Sequence, residues 1–375
     1  MLQKLNFKPG FNKQDTESGA EGQWTDGDFV RFRYGLPEKI GGWLQLTAAG
    51  KSLPGAGRAQ VAFSSFAGEK YSAIGTSQGL FLYYGNDFYD ITPLDTAITG
   101  GTLTTVNGSS TITINKGSHG LLVGRYVTLS AVTVTVVLDP GNWSLDNFGQ
   151  VLVATIFNGK TFTWNAGATN ARTIRASLST SNFATTNNPT ATRFTLVSDR
   201  DRHLFHFGTE TTIGDTTTQD PMFVRFSNQE DLNTYTPTAT NTAGTFRLDT
   251  GNEIRAALQG KDYVFVITDN AAYVIQFVGP PFTFSVRQVG TNCGCMGQHA
   301  AVYVNGIVFW MGSQGGFFAF DGTVKSLPCL VEDFVFSTDG TNLGLNFNAS
   351  DVVFAGSNNL YTEVNWFYPK AGSTQ

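Results

Sequence analysis

Apolar residues along this chain fall in short runs that come in pairs, each pair joined by a tight turn rich in Gly, Ser, Asn, Asp or Thr. Val-Phe-Val-Ile at 264–267 turns at 268–270 and returns as Tyr-Val-Ile-Gln-Phe at 273–277. Ile-Val-Phe-Trp at 307–310 turns through Gly-Ser-Gln-Gly-Gly at 312–316 into Phe-Phe-Ala-Phe at 317–320. Val-Val-Phe at 352–354 follows, turning at 356–359 into Leu360 and Tyr361. Runs this short, bounded by turn residues, read as strands. Their starts lie roughly 43–45 residues apart, the spacing of four-stranded propeller blades.

The same pairing occurs upstream. Residues 71–74 turn through Gly-Thr-Ser-Gln-Gly into 80–84, 151–154 pair with 161–164, and 204–207 pair more loosely with 222–226. The gap between 71 and 151 is about one small insertion too long for a blade. Residues 99–138 supply it: they alternate Thr with Ile, Leu or Val and contain no aromatic run. The pattern predicts an all-β chain, a β-propeller of five to seven blades, the last incomplete if the chain is a fragment. The expected organisation is an N-terminal arm over 1–44, propeller over 45–98 and 139–375, and a small β module over 99–138. The Thr-, Asn- and Ser-rich stretch 165–192 reads as an exposed connection. No segment carries a helical apolar stripe, although residues 229–232 could form a single helical turn.

Composition narrows the function classes. Phe alone numbers 31 against 24 Lys and Arg together, and aromatics are 13% of 375 residues, which excludes a disordered chain. The excess falls in the strand runs, at Phe81, Phe162, Phe205, Phe265, Phe309 and Phe354, as blade packing would require. A net charge of −5 argues against a general nucleic-acid binder, which needs a basic stripe to displace counterions from phosphate. The first ten residues lack the apolar core of a secretion signal, and no apolar stretch is long enough to span a bilayer.

Candidate chemistry is sparse. His203 and His206, three apart on a strand, face opposite sides and cannot share a metal; they read as half-exposed strand residues. Cys293-Gly294-Cys295 lacks zinc-knuckle spacing, and Cys329 supplies no second pair. Asp139, Asp146, Asp199, Asp201, Asp269 and Asp321 follow strands or sit in turns, where Asp is an ordinary turn former. No nucleophile elbow, P-loop or zinc-protease motif occurs. No catalytic residue, metal site or cofactor is therefore expected. The stretch 29–34, Phe-Val-Arg-Phe-Arg-Tyr, alternates as a strand, with Arg31 and Arg33 on one face and Phe32 and Tyr34 on the other. The two arginines fit either a satisfied blade edge or an ion pair between subunits.

That stretch also carries a resemblance. Gly-Phe-Asn-Lys-Gln-Asp-Thr-Glu at 10–17 and Trp-Thr-Asp-Gly-Asp-Phe-Val-Arg-Phe-Arg-Tyr-Gly-Leu-Pro-Glu-Lys-Ile-Gly-Gly-Trp at 24–43 resemble the opening of the packaged-DNA stabilisation proteins of short-tailed bacteriophages, the tail nozzle or hub family. Residues 143–154 and 292–297 look like the same family, and 119–127 is similar to a small β module of phage virion proteins. The resemblance implies a homo-oligomeric ring, a hexamer, in the virion tail below portal and adaptor, with a distal spike or fibre as further partner. It implies synthesis in the host cytoplasm, no membrane association, no enzymatic activity, and packaged DNA passing through without sequence-specific binding. An acidic ring would repel phosphate and let DNA slide. Relatives usually continue further, so the chain is either a fragment or closes its propeller differently. Interface anchors are expected in the arm, at Trp24, Phe29, Arg31, Phe32, Arg33 and Trp43. The alternative reading is a glycan-binding or glycan-cleaving propeller that recognises a host surface, with Trp164, Tyr273 and Trp310 stacking on sugar rings and Asp residues gathered at the central axis as the cleaving carboxylates.

Overall fold

A computed structural model describes residues 7–44, 51–98, 102–105, 112–115, 127–130, 133–137, 141–178, 188–337 and 343–373. The chain is all-β, with five antiparallel meander sheets that are the blades of a β-propeller. It divides into two compact units, residues 46–248 and residues 1–45 with 249–375.

The first unit holds three blades. Gly57–Ser64, Lys70–Thr76, Leu80–Tyr84 and Asp87–Asp90 form the first, Trp143–Phe148, Val151–Ile156 and Thr161–Asn165 the second. Phe194–Ser198, His203–Phe207, Phe223–Phe226 and Gly244–Arg247 form the third. Among the described residues the second blade has three strands, and its outer side is taken by an antiparallel bridge from Thr163 to Ser177. Residues 165–178 are thus not an exposed connection. Ala171 and Ala176 are buried in the core, and the Trp164 indole N–H donates to the carbonyls of Ala171 and Ile174. Arg172 pairs with Glu69 and Arg175 with Asp90, which strap the segment to the first blade. Trp143 is fully buried and donates its indole N–H to the Thr76 carbonyl; a Cβ on Gly75 would lie 2.5 Å from its ring, so only glycine fits there. Between the first two blades in sequence lie strands Leu94–Ile98, Thr102–Thr105, Ile112–Asn115, Val127–Ser130 and Thr133–Val137. Leu94–Ile98 pairs with Thr133–Val137, so this extra sheet draws in residues before 99. Much of the 119–127 stretch that carried part of the resemblance lies outside the described residues.

The second unit holds two blades. Ile254–Gln259, Val264–Thr268, Ala271–Gly279 and Thr283–Thr291 form one, Ala301–Val304, Ile307–Met311, Phe317–Phe320 and Val324–Leu327 the other. Their core packs Phe265 on Phe320 at 4.6 Å and Trp310 on Phe318 at 5.6 Å, with the Trp310 indole bound to the Cys293 carbonyl. Cys293 and Cys295 are buried in that core. A hairpin of Phe354–Asn358 and Glu363–Phe367 follows; its turn lies at 359–362, later than the 356–359 expected, because Val352 ends a 3₁₀ turn and Gly356-Ser357-Asn358 is in the strand. The turns inside blades repeat one device. The Thr76 hydroxyl accepts from the Gln78 and Gly79 amides, and Thr268 does the same for Asn270 and Ala271.

Two expectations for the third blade need correction. Residues 229–232 form no helical turn; Glu230 takes a left-handed conformation inside an ordinary turn. His203 and His206 are not half exposed but fully buried, because the strand His203–Phe207 is covered on both faces. His206 Nδ1 meets the Thr192 hydroxyl at 3.1 Å and its Nε2 meets the Tyr235 hydroxyl at 3.1 Å. Burial, and the nearby Arg225 cation, push His206 down to about 3; burial pushes His203 down to about 4.

Candidate functional site

The richest surface feature is built by the arm, which belongs to the same unit as residues 249–375. Lys8–Phe11 runs parallel to Gln23–Trp24, and Val30–Arg33 forms a hairpin with Leu36–Lys39. Alternation along Val30–Arg33 turns the half-buried Phe32 edge-on to Phe11 at 5.3 Å and beside Trp24 at 6.4 Å, with the Phe7 ring 5.1 Å from Trp24. Asn12 pins the loop between these strands by accepting from the Gln14 and Asp15 amides and donating to Asp15 and Gln23. The Lys13 amide donates to the Leu330 carbonyl and ties the arm down.

The hairpin turn is Tyr34-Gly35, both at positive φ, the two-residue turn whose twist suits a hairpin. Tyr34 therefore leaves the strand and does not share the face of Phe32. Its φ of 52°, like 56° at Phe29 and 56° at Thr362, is unusual for residues other than Gly or Asn. Tyr34 and Thr362 line the same cavity as Arg31 and Tyr361, and strain of this kind persists only where the surroundings hold it.

On the other face of the hairpin, the Arg31 guanidinium lies 3.5 Å from the centre of the Tyr361 ring and its Nε is 3.3 Å from Glu363 Oε1. Arg33 reaches the same ring at 5.6 Å and stands 3.9 Å from Glu38. Arg31 is 11% exposed and Arg33 50%. A cation stacked on an aromatic face gains about 0.5–2 kcal/mol, more as it is desolvated. Between the hairpin and residues 360–363 lies an open cavity of about 250 Å³, which Tyr34, Leu360 and Thr362 also line.

Of the residues expected as interface anchors, Trp24 and Phe32 are turned into the arm's own aromatic cluster. Arg31 and Arg33 meet Tyr361 and Glu363 of the same chain. Phe29 and Trp43 stand out into solvent, 79% and 91% exposed, although the Trp43 ring centre lies 6.4 Å from that of Phe367. Sequence reasoning missed Tyr361, Glu363 and Leu360, which no pattern links to a segment some 330 residues away; the Tyr34-Gly35 turn dipeptide was the one local signal.

The aromatic residues assigned to sugar stacking are placed otherwise. Trp164, Tyr273 and Trp310 are all buried, and both indoles are hydrogen-bonded to backbone carbonyls. The carboxylates have local work. Asp146 accepts from the Val197 and Asn147 amides, and burial outweighs these bonds to push it up to about 7. Asp201 accepts from the Ser198 hydroxyl, Asp269 from Asn252 and the Glu253 amide, and Asp321 pairs with Lys325. Asp139 lies outside the described residues. Among the described residues no cluster of His, Cys, Asp or Glu is arranged to hold a metal, and no helix is long and apolar enough to cross a membrane.

No family model and no curated protein matches the chain. Among solved structures it is similar to BBS1N in complex with ARL6DN, at 9% identity over 86% of this chain and 82% of that one, with a TM-score of 0.40. The AfRom2 CNH domain gives 10% identity, 84% and 85% coverage and a TM-score of 0.35. YCF48 from Cyanidioschyzon merolae gives 11% identity, 78% and 90% coverage and a TM-score of 0.34. The propeller assignment rests on the order of the sheets themselves.

Proposed function

We propose that the chain is a non-enzymatic structural subunit of a bacteriophage tail, a propeller that assembles as a ring below portal and adaptor, continues the DNA channel and helps retain the packaged genome. The observation that carries this reading is the arm. The segment 24–43, on which the family resemblance rests, is also where Phe29, Tyr34, Leu36 and Trp43 stand exposed around strained turns. Exposed apolar surface on this scale marks a surface that another molecule covers. Buried aromatic packing suits a part built to persist, each large apolar side chain contributing about 1.5–3 kcal/mol. The test is direct: peptide mass mapping of purified virions with electron microscopy of the tail should find the chain as a ring, and particles lacking it should leak DNA. Absence from the particle would remove this reading.

A further inference from the structure

The cavity between the arm hairpin and residues 360–363 carries a charge opposite to that of the chain. Its charged lining is Arg31, Arg33 and Glu363, one cation in surplus, while the chain as a whole stands at −5. Neither arginine is hydrogen-bonded to the carboxylate beside it. Glu363 Oε1 lies 3.3 Å from Arg31 Nε, yet that buried N–H has no hydrogen-bond partner, so charge alone holds the pair. Arg33 stands 3.9 Å from Glu38, beyond hydrogen-bond reach. Its half-exposed guanidinium lies 5.4 Å from the Tyr34 ring and 5.6 Å from the Tyr361 ring. Tyr34 and Thr362, on the two sides of the cavity, both hold positive φ, strain of the kind that ligand sites retain.

We propose that this cavity binds a small hydroxylated carboxylate of the sugar-acid type. A planar guanidinium matches a carboxylate through two parallel N–H···O bonds, and the half-exposed Arg33 supplies that fork. Arg31, stacked on Tyr361 at 3.5 Å, adds a second fixed positive charge in the lining. Charge limits the ligand to a single negative group. A phosphate ester, at about −1.5 to −2 near pH 7, would exceed the one surplus cation and face the Glu363 carboxylate. Thr362 and Glu363 bring a hydroxyl and an acceptor to the same lining, which suits a ligand with hydroxyls of its own. At about 250 Å³ the space is below the roughly 300–1,000 Å³ of drug-sized sites, so one sugar ring is the scale of the occupant.

Saturation-transfer NMR of the full chain with glucuronate, glucose and the matching phosphate ester of glucose tests it, because the three share a ring and differ in one substituent. Glucuronate should bind saturably, and the other two at least tenfold more weakly. Arg33→Met keeps the apolar stem, removes the charge of a half-exposed residue, and should weaken glucuronate binding at least tenfold. Arg33→Lys keeps the charge but loses the fork, and should fall between Arg33→Met and wild type. Arg287→Met, at an exposed arginine outside the cavity lining, should bind as wild type. Thermal melts that match wild type show that each variant is folded. No saturable signal from glucuronate, glucose binding as tightly as glucuronate, tighter binding of the phosphate ester, or unchanged affinity in folded Arg33→Met would each overturn the proposal.

Discussion

The two units differ in what they hide. Among the described residues, nearly every buried polar side chain lies in residues 46–248; the other unit contributes Asn12, Thr268 and Thr283. Among the described residues the exposed large apolar side chains divide the opposite way: Phe66 and Ile174 belong to 46–248, and the rest lie in the arm and in 249–375. The three-blade unit joins its second and third blades through hydroxyls, with Ser144 and Thr155 both meeting Thr195, the latter at 2.8 Å, and it caps the fully buried Glu210 with the Thr190 and Gly214 amides. Satisfied networks of this kind fix register and tolerate no slippage. The two-blade unit spends few polar groups inside and leaves more apolar ones outside.

That contrast concerns polar interiors and outer surfaces, so it requires both cores to be equally committed. Gly294→Ala tests the two-blade core: its Cβ would stand 1.9 Å from the Asp269 carbonyl oxygen, a main-chain atom that cannot swing away. Overpacking typically costs about 1–3 kcal/mol, and a backbone clash belongs at or above the top of that range. Gly75→Ala, against the Trp143 ring, should cost nearly as much in the other unit. Urea melts of the full chain check both, and a mild effect at Gly294 would make the two-blade core the looser one.

Acid should then separate the units. His206 and His203 titrate near 3 and 4 when folded against 6.5 when free. Their contribution is full above pH 6.5 and is lost as pH falls, because the unfolded chain takes up protons first. Asp146, raised from 3.8 to about 7, works the other way and loses stability between those values as pH rises. Two histidines against one carboxylate leave a net slope of one proton between about pH 4 and 6.5, roughly 1.4 kcal/mol per pH unit at most. Stability should peak near pH 6.5, and the His203→Gln, His206→Gln double variant should lose the acid limb in thermal melts. A smaller effect of the same origin follows from Tyr235→Phe, which leaves His206 Nε2 buried without its 3.1 Å partner; about 1–3 kcal/mol should be lost at pH 7.

The difference between the units also explains what could be read from sequence. Strand pairs such as 264–267 with 273–277 were legible because period, length and turn residues are local signals, and they became Val264–Thr268 and Ala271–Gly279. The hydroxyl networks were not. Thr and Ser look solvent-facing in any window, and only the third blade's approach to the second shows that Thr195 closes a buried chain with Ser144 and Thr155. Burial of His206 escaped for the same reason: its partners Thr192 and Tyr235 come from separate loops. At the arm, alternation placed Arg31 and Arg33 on one face correctly, yet their partners Tyr361 and Glu363 are distant in sequence, and Tyr34 was misassigned because Gly35 turns the chain one residue earlier than the apolar pattern suggests.

The smallest expected change in stability sharpens the contrast most. Phe29→Ser and Trp43→Ser remove side chains that one chain leaves 79% and 91% exposed, so melting of dilute, unassembled protein should shift by no more than about 0.5 kcal/mol. Phe66→Ser, the matching change in the three-blade unit at 82% exposure, should be equally silent there. At concentrations where the chain associates the three should part. On the tail-subunit reading proposed above, the arm variants should associate at least tenfold more weakly, while Phe66→Ser associates as wild type. Three side chains of similar exposure differ only in which unit displays them, and equal behaviour in sedimentation would mean that apolar exposure in the arm has no more to do with assembly than a scattered surface residue.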